Sequence, residues 1–323
     1  MGKQQKSFQL KLLFQQLLLC AFVMASPSLL VAEENAVFPE AFTEAEPLFL
    51  NLPTYIYEDY IVAYERTFSE EAIPYWWAVG LSTAVLIATD DKWISESQRL
   101  GDRLGVSRKD NTNTVAEYQG VTLLRLPTDL GSLMYFVGDG WTHVSIAAGF
   151  LATGALMEDD KAYGVGFQII EGMITTTIAT QTLKHITGRQ TPSRATTTRT
   201  GKWDFFPNQK DYFKQVPNYD AFPSGHLAVA SMTLTVISKN YPDKAWIMPT
   251  GITLLSLLSF QMMNNEVHWA SDYPLAIALG YTFGTIAYER GQKSMADSSS
   301  SDLVQWVPII SGNEVGLGLN YQF

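Results

Sequence analysis

The chain has 323 residues, 46% of them hydrophobic, which is enough to bury a large core and too apolar for a disordered segment. Its formal net charge of −10 excludes a nucleic-acid partner, which would need a basic face. The single cysteine, Cys20, rules out a disulfide framework and a thiolate zinc cluster.

In chain order, residues 1–32 read as an export signal. Lys3, Lys6 and Lys11 form a basic start, Leu17 to Ala25 an apolar centre, and Leu30-Val31-Ala32 a cleavage site. An uncleaved membrane anchor is the alternative reading. Cys20 lies inside this segment behind Leu19, where a lipid anchor would want a small residue. Residues 33–72 are acidic and aromatic without strong periodicity, and read as an N-terminal extension.

Six charge-poor stretches follow, at 73–89, 144–157, 164–183, 227–238, 245–263 and 273–288. Each is too long, or too rich in Ala, Leu, Met and Gly, for a lone strand, and is a predicted helix. Only 164–183 and 245–263 approach the roughly 20 residues that cross a bilayer. A buried helical bundle and a polytopic membrane protein therefore both stay open. The Ser-rich stretch 291–302 reads as a linker. Residues 303–323 read as two strands around a Gly312-Asn313 turn, with Val315, Leu317, Leu319, Tyr321 and Phe323 on one face, expected to pack on the bundle. The expected fold is all-α: a six-helix domain over 73–290 with a small C-terminal β-hairpin.

Three places carry chemistry. Pro223-Ser224-Gly225-His226 stands at the mouth of the stretch 227–238. A helix start exposes unpaired amides and the positive end of the dipole, and Ser224 and Gly225 would let an oxyanion approach them closely. His226 would sit beside that anion, able to protonate a leaving oxygen near neutral pH. Alternatively, Ser224 merely caps a helix and His226 is a bystander. Further on, His268 and Asp272 are four apart, so the carboxylate can orient one ring nitrogen and leave the other as a nucleophile. Asp272 at the first turn of a helix is also ordinary dipole chemistry. At the end of stretch 164–183, Lys184 and Arg189 leave the helix into a turn with Gly188 and Pro192. Cations there suit a helix C-terminus, and they also suit a phosphoryl group.

Together these stretches resemble the type 2 phosphatidic acid phosphatase (PAP2) and vanadium haloperoxidase superfamily, over roughly residues 130–290. Lys184 and Pro192 match its first motif, Pro223, Ser224, Gly225 and His226 its second, and His268 and Asp272 its third. The resemblance implies an exported phosphatase of the cell envelope that uses neither metal nor cofactor. His268 would attack phosphorus, Asp272 would orient its ring, and His226 would protonate the leaving group. Lys184, Ser224, Gly225 and Arg189 would bind the phosphate. The implied substrate is a lipid phosphate or isoprenoid diphosphate for a membrane-bound member, or a small phosphate ester for a periplasmic one, with membrane association.

Two family arginines are replaced here, by Thr191 and Met262, and the family serine before the second is Gln261. Arg189 is close enough in sequence to turn toward the same pocket. The segment 193–222, with Arg194, Arg199, Lys202, Lys210 and Lys214, would suit a basic lid, or equally a solvated loop. Asn264 and Asn265 offer neutral donors, each roughly half as strong as a charged one. The missing arginines motivate a second reading, a non-catalytic phospholipid-binding or scaffold protein. They also argue against vanadate chemistry, which would want both cations. His143 is expected to be a core or surface histidine, and His185 is given no role.

Overall fold

The computed structural model of the protein describes residues 51–118, 121–195, 200–300, 304–311 and 314–321. The expected export signal and residues 33–50 of the acidic extension lie outside them. The helices are α1 (Leu52–Thr67), α2 (Ile73–Ile87), α3 (Asp90–Leu104), α4 (Leu130–Phe136), α5 (Gly140–Met157), α6 (Asp160–Thr187), α7 (Gln209–Lys214), α8 (Gly225–Asn240), α9 (Ile247–Asn264) and α10 (Tyr273–Ser300). Two antiparallel hairpins accompany them, β1 (Thr112–Tyr118) with β2 (Val121–Pro127), and β3 (Val304–Ser311) with β4 (Glu314–Tyr321). The protein is thus mostly helical. All six charge-poor stretches fall in helices, but the bundle has more elements than six.

Each departure has a local cause. Helix α1 lies in a stretch without apparent periodicity because its inward face, Tyr55, Glu58, Asp59, Val62 and Ala63, mixes carboxylates with apolar groups. Those carboxylates face Arg290 of α10, whose guanidinium also reaches Glu171 of α6 at 2.9 Å. Three carboxylates around one cation leave an excess of negative charge, and burial pushes Glu171 well above the usual carboxylate range. Helix α10 runs through the expected linker to Ser300. After Gly291 that stretch has no glycine and no proline, and Gln, Lys, Met and Ala are good helix formers. The β1–β2 hairpin is an element the periodicity did not predict. For β3–β4, Ser311 pairs with Glu314, and the turn expected at Gly312-Asn313 lies outside the described residues. The packing expected for that hairpin also rests on side chains outside the described ones.

The site is positioned by three mutually packed helices, α6, α8 and α10, with α5 against α6 and α9 against α8. Gly280 of α10 lets the two helices approach closely, since a Cβ there would lie 2.2 Å from the Ala228 carbonyl oxygen of α8. The core along this seam includes Leu227, Ala228, Leu258, Met262, Trp269, Tyr273 and Ala276. Among the described residues no single helix is long and apolar enough to cross a membrane. The bent pair Glu70–Ile87 and Asp90–Leu104, 70° apart, reaches that length and composition only together.

Candidate active site

The site begins at the start of α8. Ser224 is the N-cap, accepting the Leu227 amide with its hydroxyl at 3.3 Å, as its residue type and place predict. The amides of the first turn have no intrahelical acceptor. Gly225 leaves the approach to them open: a Cβ there would meet Lys184 Nζ at 3.8 Å and nothing closer. The cap is tied to the third motif through its backbone, the Ser224 amide donating to the Asp272 carbonyl at 3.1 Å.

His268 lies just before a single 3₁₀ turn at Ala270–Asp272 and is buried. Its Nδ1 is 2.8 Å from the Ala221 carbonyl oxygen. A carbonyl only accepts, so Nδ1 carries the hydrogen and Nε2 keeps its lone pair. The His226 ring, partly exposed, stands 5.9 Å from the His268 ring, centroid to centroid, at 69°. Two imidazoles 42 residues apart in the chain therefore meet at the α8 terminus.

Asp272 differs from the expectation that it orients the ring. Its Oδ2 accepts the Trp269 amide at 2.8 Å and is 3.4 Å from His268 Nδ1, while its Oδ1 takes Arg189. The Ala221 carbonyl is the nearer partner, so Asp272 chiefly fixes the turn that carries the histidine.

Arg189 requires a correction. It is fully buried, and its guanidinium is bound by Asp272, by Asp90 at 2.7 Å, by Ser271 at 2.6 Å and by the Thr200 carbonyl at 2.9 Å. Trp203 and Trp269 flank it at 4.8 and 5.3 Å. Such a cation is spent on internal partners and does not turn into the pocket to bind phosphate. Asp90, which burial pushes up against the pull of Arg189, also accepts from the Ser271 amide and hydroxyl. Sequence reading missed Asp90 because its partner lies 99 residues away.

Lys184 is buried at the end of α6, facing Gly225, and pairs with Asp220 at 2.9 Å. Asp220 also accepts the Tyr212 hydroxyl at 2.9 Å. Tyr135 of α4 packs on the His226 ring at 4.8 Å, and a Cβ on Gly138 would touch His226 Cβ at 2.8 Å, so the 135–138 turn forms one wall. Desolvation pulls His226 well below the usual imidazole range, helped by repulsion from His268 and His143 when these are protonated and by the positive fields of Lys184 and Arg125. Arg125, on β2, is itself held by Asp139 at 2.8 Å and by Asp110 at 3.4 Å. His143 is the expected core histidine, its Nδ1 2.9 Å from the Thr233 hydroxyl. His185 stacks on Tyr212 at 3.9 Å.

The substituted positions carry no cation. Met262 is buried with its sulfur 3.6 Å from the Ser224 hydroxyl. Thr191 spends its hydroxyl on Ser193 at 2.9 Å. Asn264 does not serve the anion: it donates to the Ser107 carbonyl at 3.2 Å, beside Gln261 at 2.8 Å, pinning the loop after α3. The Asn265 amide, turned to suit its neighbours, donates to the Gln261 and Met262 carbonyls. Arg194, Lys202, Lys210 and Lys214 are exposed, which favours a solvated loop over a basic lid, and Arg199 lies outside the described residues. Among the described residues no group of three or more His, Cys, Asp or Glu is disposed to hold a metal ion.

The comparison with family models matches residues 166–296 to the PAP2 superfamily. Neither a curated protein nor a solved structure matches the chain significantly.

Proposed function

Residues 166–296 match the PAP2 superfamily, and on that premise we propose that the protein hydrolyses a phosphate ester or anhydride through a phosphohistidine at His268. PAP2 superfamily domains typically hydrolyse phosphate esters. The observation that carries the reading is the His226–His268 pair, 5.9 Å apart beside the open start of α8.

The chemistry follows from the tautomer. The Nε2 lone pair of His268 attacks phosphorus and the bond from phosphorus to the leaving oxygen breaks, with a proton from His226 going to that oxygen. Water then attacks the phosphorus, His226 takes its proton, and the P–N bond breaks to release phosphate. In the free site His226 binds its proton weakly, and the negative charge of a seated phosphoryl group opposes that shift. The first-turn amides of α8 and Lys184 hold the oxyanion, with Lys184 moving between Asp220 and substrate.

The substrate class is a phosphorylated lipid or a small phosphate ester, and the location an envelope reached by export. The basic and apolar composition of residues 1–32 supports export. Exposed Ile73, Trp76, Trp77, Leu81 and Val85 on α2 support association with a membrane.

The test is hydrolysis of p-nitrophenyl phosphate by purified protein, with rapid-quench labelling from a radioactive phosphate ester. Turnover and an alkali-stable label are expected, both lost in His268→Ala. Absence of hydrolysis across a panel of phosphate esters, or unchanged turnover in His268→Ala, refutes the proposal. The second reading, a binder of phosphorylated lipid without turnover, is favoured by Met262 at Ser224 and by the internal use of Arg189. It expects calorimetric binding of phosphate with no hydrolysis.

A further inference from the structure

A groove of about 410 Å³ opens between α1, α2 and α10, within the roughly 300–1,000 Å³ of small-molecule sites. Its walls are largely apolar: Trp76 and Val79 from α2, Leu279 and Phe283 from α10. Two cations line it: Arg66, paired with Glu289 at its edge, and Lys239. Lys239 Nζ lies 5.6 Å from the ring centroids of both Tyr281 and Tyr288, which hold it in place while leaving its three donors for another acceptor. No carboxylate among the described residues pairs with it; nearby Glu289 is taken by Arg66.

A largely apolar groove with one ammonium that no carboxylate pairs suits a molecule that is apolar with an anionic end. We propose that this groove binds the acyl chain of a single-chain anionic amphiphile, with Lys239 taking its headgroup oxyanion. Lys239 is 13 residues along α8 from His226, on the order of 20 Å at 1.5 Å per residue. The groove is therefore a site separate from the two histidines, and the proposal stands whether or not the protein is a phosphatase. Burial draws the Lys239 ammonium below its usual range, as expected of a cation waiting for a counter-ion.

The experiment titrates full-length protein by calorimetry with dodecanoate, dodecyl phosphate and dodecanol, each below its aggregation concentration. Saturating inorganic phosphate is present to occupy the catalytic site. Both anions are expected to bind, and Lys239→Gln should weaken each about tenfold, the worth of one charge-assisted contact, while leaving dodecanol and the hydrolytic rate unchanged. A preference for one anion identifies the headgroup. Ala278→Trp, which fills the groove, should remove all three. As a check that needs no charge variant, brominated dodecanoate should quench fluorescence in the wild type and quench less in Trp76→Phe. The proposal is overturned by anion binding that Lys239→Gln leaves intact, by no binding at all, or by binding to phospholipid vesicles without binding to monomeric dodecanoate.

Discussion

His268 Nδ1 lies 2.8 Å from the carbonyl oxygen of Ala221, 47 residues earlier in the chain, and 3.4 Å from the carboxylate of Asp272, four residues later. A main-chain acceptor thus fixes the tautomer of the candidate nucleophile, and the carboxylate stands second.

Asp272→Asn should therefore be a stability variant more than a kinetic one. It removes one of the two carboxylates that neutralise Arg189, and breaking a buried pair costs about 3 kcal/mol. Its contact with His268 is worth on the order of 1 kcal/mol, about fivefold in kcat. A markedly lower melting temperature with kcat reduced less than tenfold is expected from scanning calorimetry and p-nitrophenyl phosphate turnover. A loss of about 10⁴-fold, as when a carboxylate alone sets a catalytic histidine's tautomer, would restore Asp272 to the orienting role.

The pH profile follows from His226. Its affinity for a proton in the free site is lowered, first by desolvation and then by the surrounding cations. The protonated form needed by a general acid is lost as pH rises through this lowered value. The profile of kcat/KM should accordingly fall through a pKa below the ordinary imidazole value of about 6.5. Arg125→Met removes one of those positive fields and should move that limb upward. A limb that stays fixed, or moves down, separates it from His226.

Gly225→Ala tests the open approach to α8. A Cβ at this position meets Lys184 Nζ at 3.8 Å and Lys184 Cε and Thr180 Oγ1 at 4.0 Å, all ordinary contacts. The variant should fold with unchanged or slightly raised stability, since alanine restricts the unfolded chain by about 0.4–1 kcal/mol relative to glycine. The methyl group stands where an oxyanion would approach, so KM for p-nitrophenyl phosphate should rise at least tenfold. An unchanged KM would place the substrate elsewhere.

Acid stability should depend on His143. Burial pulls its pKa down to about 4, so between that value and the unfolded value of about 6.5 the unfolded chain binds the extra proton. Stability then falls as pH drops through that window, by about 3 kcal/mol. His143→Gln has no group to titrate there. Urea denaturation of this variant at pH 7 and pH 4.5 should show a smaller acid loss than the wild type, and an equal loss would remove His143 as the cause.

The three motifs and the helix stretches were legible in the sequence because both signals are local. Apolar runs needed only composition, and Ser224 needed only its place at a helix start. Lys184, Gly225, His226 and His268 were also found this way, and the coordinates bring them to one end of α8. Arg189 was misread for the same reason. Its distance from Thr191 is a sequence property, whereas Asp90, which holds it, comes from another helix. The β1–β2 hairpin and α1 were missed because neither shows a clean alternation or apolar stripe.

The amino-acid order alone carried the resemblance to the PAP2 superfamily, the helical class and the choice of candidate imidazoles, since these depend on residue type and short-range spacing. Tertiary packing decided what each side chain is used for. It handed the ring of His268 to a backbone carbonyl, locked Arg189 between two carboxylates, and set the Met262 sulfur against the Ser224 hydroxyl. The physical reason is that hydrogen bonds and charges are satisfied by whatever lies within about 3 Å, and folding brings together residues that no local pattern relates.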